Sequence, residues 1–142
     1  MKKLSMLVML GFAANAYAAP NITDVEKTKS LCQDAAALFA EGNIKASMDK
    51  LAPHWPLPVE EIQSLTYQTE SQLKLVHSRF GSSLGAEHVS SKKAGSSFVQ
   101  HNYIINFDKH AIRYLCIFYK PKSNWLVNTV HWDDKTILLF NQ

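Results

Sequence analysis

The chain has 142 residues, 46% of them apolar and 19% charged, and its 15 basic and 12 acidic residues give a formal charge of +3. Lys2 and Lys3 stand at the extreme N-terminus ahead of an apolar run, and without them the charge falls to +1. Beyond the pair Lys92-Lys93 no run of basic residues remains, which excludes the electrostatic footprint of a nucleic-acid or membrane-surface binder.

Met1-Lys2-Lys3, the apolar stretch from Leu4 to Ala14 and the small-x-small pattern Ala16-Tyr17-Ala18 together have the form of a secretory signal cleaved after Ala18. The apolar stretch is too short to cross a bilayer about 30 Å thick, which requires roughly 20 such residues. Residues 1–18 are therefore expected to be removed, with no stable membrane insertion and a periplasmic or secreted location. Residues 19–142 are then one domain of ordinary size, undivided by repeats or low-complexity sequence. Cys32 and Cys116 are the only cysteines. In an oxidising compartment they are candidates for a disulfide, the alternative being two buried thiols acting as small hydrophobes.

Thr23, followed three residues later by Glu26, has the form of a capping box opening a helix with apolar or small residues at Val25, Cys32, Ala35, Ala36 and Phe39. Gly42 ends it, and Asn43 caps a short second helix carrying Ile44, Met48 and Leu51. The Pro-rich stretch Pro53-His54-Trp55-Pro56-Leu57-Pro58 forbids continuation, and Trp55, flanked by prolines, is expected to resist complete burial. Pro58 suits the first turn of a third helix, with Glu60 and Glu61 where the macrodipole favours negative charge. Its core stripe is Ile62, Leu65, Thr69, Leu73, Val76 and Phe80, and Gly81 stops it.

After Gly81 the period changes to two. A weak strand is expected around residues 87–91, followed by Phe98–Phe107, where Val99, His101, Tyr103, Ile105 and Phe107 share one face. Residues 112–120 are apolar on both faces and so central. Residues 125–132 form the next strand, and residues 137–140 a short terminal one. Three helices and then a meander is an α+β pattern, with the helices packed on one face of a curved antiparallel sheet of about four to five strands.

That order of elements, the Trp125-Leu126-Val127 stretch after a tight turn and the phrase Phe118-Tyr119-Lys120-Pro121 before it resemble exported bacterial members of the nuclear transport factor 2-like (cystatin-like) superfamily. The resemblance implies a cone-shaped half-barrel with a pocket between sheet and helices. Such a pocket serves small-molecule enzymes, binding modules and secretion-system components alike. The resemblance also implies dimerisation through the outer face of the sheet.

The residues offer few chemical constellations. The six histidines fall at no short spacing that would put two imidazoles on one face, so no metal site is expected, and no Gly-rich phosphate loop points to a nucleotide or other cofactor. His101 and Tyr103, on one strand face, and His131 are the candidates for proton transfer, although strand residues of these types commonly sit half-buried with their polar tips satisfied. Trp55, Tyr67, His101, Tyr103 and Tyr114 are the candidate pocket residues. No acidic residue falls at an inward, mid-strand position, which argues against the carboxylate chemistry that the resemblance would otherwise suggest. The expectation is an envelope binding or assembly module, self-associating or engaging another envelope protein, with room for a small apolar ligand. The alternatives are a lyase, isomerase or hydrolase using the His/Tyr pocket, and an immunity or inhibitor protein.

Overall fold

A computed structural model describes residues 20–141. The expected signal, residues 1–18, lies outside them. Among the described residues three helices precede a four-stranded antiparallel sheet: α1 (Val25–Ala40), α2 (Ile44–Leu51), α3 (Val59–Phe80), then β1 (Ser83–Ala94), β2 (Phe98–Phe107), β3 (Ala111–Tyr119) and β4 (Leu126–Asp133), in the order β1-β2-β3-β4. The protein is thus α+β.

The helix boundaries follow from local chemistry, with one correction. The cap of α1 is Asp24, not Thr23; its carboxylate accepts from the Glu26 amide at 3.0 Å, and an anion here also meets the positive end of the helix dipole. At the far end Asn43 N–H donates to the Leu38 carbonyl and Gly42 N–H to that of Phe39, both at 2.9 Å, with Gly42 at φ +78°. This is a Schellman turn, in which the left-handed residue is nearly always glycine. The Asn43 side chain then accepts from the Ala46 amide at 3.2 Å and starts α2. After the 3-10 turn Ala52–His54, α3 begins behind Pro58. Its buried residues are Ile62, Thr66, Thr69, Leu73 and Phe80, with Leu65 and Val76 partly covered.

β1 is longer than the sequence indicates, because its ladder with β2 runs from Ser83↔Phe107 to Ala94↔Phe98 while its side chains stay largely exposed. Residues 137–140 are not a strand. The segment Thr136–Leu139 is a 3-10 turn lying against β3.

The helix-facing rows of the sheet are Val99, His101, Tyr103, Ile105 and Phe107 on β2, with Ile112, Tyr114, Cys116 and Phe118 opposite them on β3. α1 covers these rows and is joined to β3 by a disulfide between Cys32 and Cys116, both fully buried. α3 instead rests on α2 and reaches the sheet at its C-terminal end, where the Phe80 and Phe107 rings lie 6.2 Å apart. The middle of α3 therefore leaves a gap towards β3 and β4.

Candidate functional site

The gap is a cleft of about 230 Å³. One wall is aromatic: the Phe39 ring packs 5.0 Å from Tyr114 and 5.7 Å from Trp132, and Trp55 closes one side. Trp55 is only 8% exposed, because the chain reverses around it: its amide donates to the Ala52 carbonyl at 3.1 Å and its carbonyl accepts from Leu57 N–H at 2.8 Å. The other wall is α3, which presents Leu65, Gln68, Thr69 and Gln72. Residues 65, 68, 69 and 72 recur at helical spacing, so one face of α3 supplies them all.

Tyr114 also carries an unusual group. Its hydroxyl is buried with no hydrogen-bond partner among the described residues. Burial pushes this phenol far above its ordinary range, and the neighbouring Tyr103 adds to the rise while the Ser47 hydroxyl opposes it. The Ser47 hydroxyl gives its own proton to the Ala35 carbonyl at 2.7 Å and keeps its lone pairs as acceptors.

His101 and Tyr103 do not line this cleft. Both are 2% exposed and lie under α1, where the Tyr103 hydroxyl donates to the Lys29 carbonyl at 3.3 Å. Burial raises the Tyr103 phenol to about 12, with nearby Asp34 adding to the effect. His101 sits in a chain of hydrogen bonds: Thr28 Oγ1 to His101 Nε2 at 2.8 Å, His101 Nδ1 to Ser91 Oγ at 2.7 Å, and Ser91 Oγ to His88 Nε2 at 3.1 Å. One carbonyl orders every proton in it. The Thr28 hydroxyl donates to the Val25 carbonyl, which can only accept, so Thr28 accepts from His101 Nε2–H. His101 Nδ1 then accepts from the Ser91 hydroxyl, whose oxygen accepts from His88. Burial, then the charges of His88 and Lys29, lower His101 to about 4 and keep it neutral.

His131 borders the cleft but stands in the row of the sheet's other face. It stands opposite Leu115, and its Nε2 lies 2.9 Å from Asp133, whose carboxylate also takes two bonds from the Arg113 guanidinium at 3.1 and 2.6 Å. Arg113 foremost, with help from His131 and the Lys135 amide, holds Asp133 down at about 2. The structure therefore does not bring His101, Tyr103 and His131 into one volume. Of the expected pocket residues Trp55 and Tyr114 line the cleft, whereas Tyr67, 70% exposed, lines a separate groove with Lys45 and Asp49.

Sequence reasoning missed Gln68 and Gln72, which the core stripe of α3 passes by, and the Thr28, His88 and Ser91 partners of His101. Strict alternation from His88 would set Ser90 beside His101, but a bulge between His88 and Ser90 shifts the register so that Ser91 faces it. Among the described residues no three His, Cys, Asp or Glu side chains are grouped to hold a metal, and no helix is long and apolar enough to cross a membrane. Comparison of the chain with protein-family models, curated proteins and solved structures finds no match.

Proposed function

We propose that the protein is an exported binding module of the bacterial envelope, built on the nuclear transport factor 2-like cone, and that it holds a small ligand between α3 and the aromatic wall of β3 and β4. The observation that carries this reading is the cleft of about 230 Å³ with Phe39, Trp55, Tyr114 and Trp132 around it. Concave, aromatic-lined sites with few polar groups are the common form of small-molecule sites. Export is supported by the Cys32–Cys116 disulfide, a bond that persists in oxidising compartments.

Saturation-transfer NMR with single-ring aromatic fragments tests the reading. Fragments are expected to bind the native chain and to lose binding in Gln68→Trp, which fills the mouth of the cleft from an exposed helix position. Equal binding to both proteins would place the ligand elsewhere.

Self-association through the outer face of the sheet has its own support. Phe98 and Tyr119 stack there at 4.9 Å, each 36% exposed, and Ile137, Leu138 and Phe140 are exposed on the terminal turn and just after it. Sedimentation at micromolar concentration is expected to show a dimer that Phe98→Ser with Tyr119→Ser dissociates. A strictly monomeric native protein contradicts this.

A further inference from the structure

We infer that the cleft selects uncharged, planar molecules bearing a hydrogen-bond donor and acceptor on one edge, such as aromatic amides and neutral heteroaromatic rings, over hydrocarbons and over organic ions. The inference rests on reading the cleft as a ligand site, and it names the ligand's chemical class from what does and does not line it.

Among the described residues no lysine, arginine, aspartate or glutamate lines the cleft. An ion entering it would lose hydration without gaining a counter-charge, and burying an unpaired charge is far more costly than burying a neutral polar group. His131 stands at its border, and its Nε2 is already engaged by Asp133 at 2.9 Å. The groove on the opposite side of α3 differs in kind, being lined by Lys45, Asp49 and Glu70. Absence of formal charge is thus a property of this cleft and not of the helix surface in general.

The two walls define the shape. Phe39, Trp55 and Trp132 offer ring faces and edges, which favour a flat guest held in offset or edge contact. Facing them, Gln68 and Gln72 lie one helical turn apart on α3, and Thr69 lies between them. A carboxamide carries two donors and two acceptor lone pairs, so a pair of them can meet a donor and an acceptor on one ligand edge at once. A hydrocarbon leaves these groups without gain. Size sets the upper limit: a dry cavity of about 150 Å³ accommodates benzene, and this cleft, at about 230 Å³, suits one substituted ring or a fused pair.

Four near-isosteric probes separate the terms: benzamide (neutral, donor and acceptor), benzoate (anion), benzamidinium (cation) and toluene (hydrocarbon), titrated into the disulfide-bonded chain at neutral pH and followed by NMR shift changes. Benzamide is expected to bind about tenfold more tightly than each of the other three, the margin that one or two well-made hydrogen bonds supply. In the double variant Gln68→Leu, Gln72→Leu, whose positions are exposed and tolerant, that margin over toluene should fall to about twofold while toluene binding is retained. Toluene matching benzamide in the native protein, or either ion binding best, overturns the inference and leaves the cleft a ligand site. Absence of binding by all four probes at concentrations up to about 10 mM, a range generous for fragments of this size, overturns the ligand reading with it.

Discussion

His101 Nε2 lies 2.8 Å from Thr28 Oγ1, joining residues 73 apart in the chain, and both side chains are buried. Because the Thr28 hydroxyl is spent on the Val25 carbonyl, this contact fixes the tautomer of His101 and ties α1 to the middle of β2. Thr28→Val keeps the shape but leaves a buried imidazole nitrogen without a partner, whichever tautomer is adopted. It is expected to destabilise the fold by about 1–3 kcal/mol in urea unfolding, and Thr28→Ser, which keeps the bond, by distinctly less. No loss in Thr28→Val would remove the hydrogen bond from the account, and a loss in Thr28→Ser as large as in Thr28→Val would mean that packing of the Thr28 methyl matters as much as the bond.

The acid limb of stability should fall in two stages. His101 is lowered from 6.5 to about 4 by burial, so between these values the unfolded chain takes up a proton that the folded one refuses. Its contribution is complete above 6.5 and is lost as the pH falls towards 4; His54 and His88 are lowered too and act in the same direction. Asp133, lowered from 3.8 to about 2 chiefly by Arg113, contributes above 3.8 and loses that contribution as the pH falls to 2. Unfolding free energies against pH should therefore flatten in the first window for His101→Gln and in the second for Asp133→Asn. An unchanged slope in the first window for His101→Gln would show that the imidazole is not held neutral.

The helices were largely legible because their signals are local. Gly42 and Asn43 read as stop and start and do act so, while Pro58 marks the entry to α3. The face of β2 was legible for the same reason: Val99 to Phe107 alternate, and the inward row is the buried row. β1 was under-read because an exposed edge strand held by its ladder shows no burial pattern, and residues 137–140, a bare apolar run, carry no period to tell strand from turn. At the candidate site the sequence marked Trp55 and Tyr114 by chemistry. It could not supply the register that sets Ser91 against His101 and separates His101 from His131, since one bulged residue decides the first and strand pairing the second.

The disulfide should act on the whole fold. Cys32 and Cys116 are 84 residues apart and fully buried, so the bond constrains most of the unfolded chain and is shielded from reductant in the folded one. For a loop of this length the chain-entropy account gives about 4.6 kcal/mol. Unreduced protein should show no free thiol by alkylation and mass measurement, and Cys32→Ala with Cys116→Ala should lower the urea midpoint accordingly. Fast reduction under native conditions would contradict the burial, and two alkylatable thiols in unreduced protein would contradict the bond.

Gly81 and Gly85 separate backbone strain from steric crowding. Both have positive φ, +88° and +116°, but a Cβ at Gly81 would come within 2.6 Å of Asp108 Oδ2, whereas no described residue lies within 4 Å of one at Gly85. Gly85→Ala should therefore cost only the backbone strain, about 1 kcal/mol. Gly81→Ala should cost at least about 1 kcal/mol more, because it also displaces the Asp108 carboxylate from the Ser82 amide, which it holds at 2.7 Å. That bond, with Lys109 N–H to the Phe80 carbonyl at 2.9 Å, pins the end of α3 to the turn between β2 and β3. Since α3 carries Gln68 and Gln72, its loosening should also weaken benzamide binding in Gly81→Ala and leave it intact in Gly85→Ala. Thermal unfolding and the same NMR titration measure both effects, and equal behaviour of the two variants would remove Asp108 from the account.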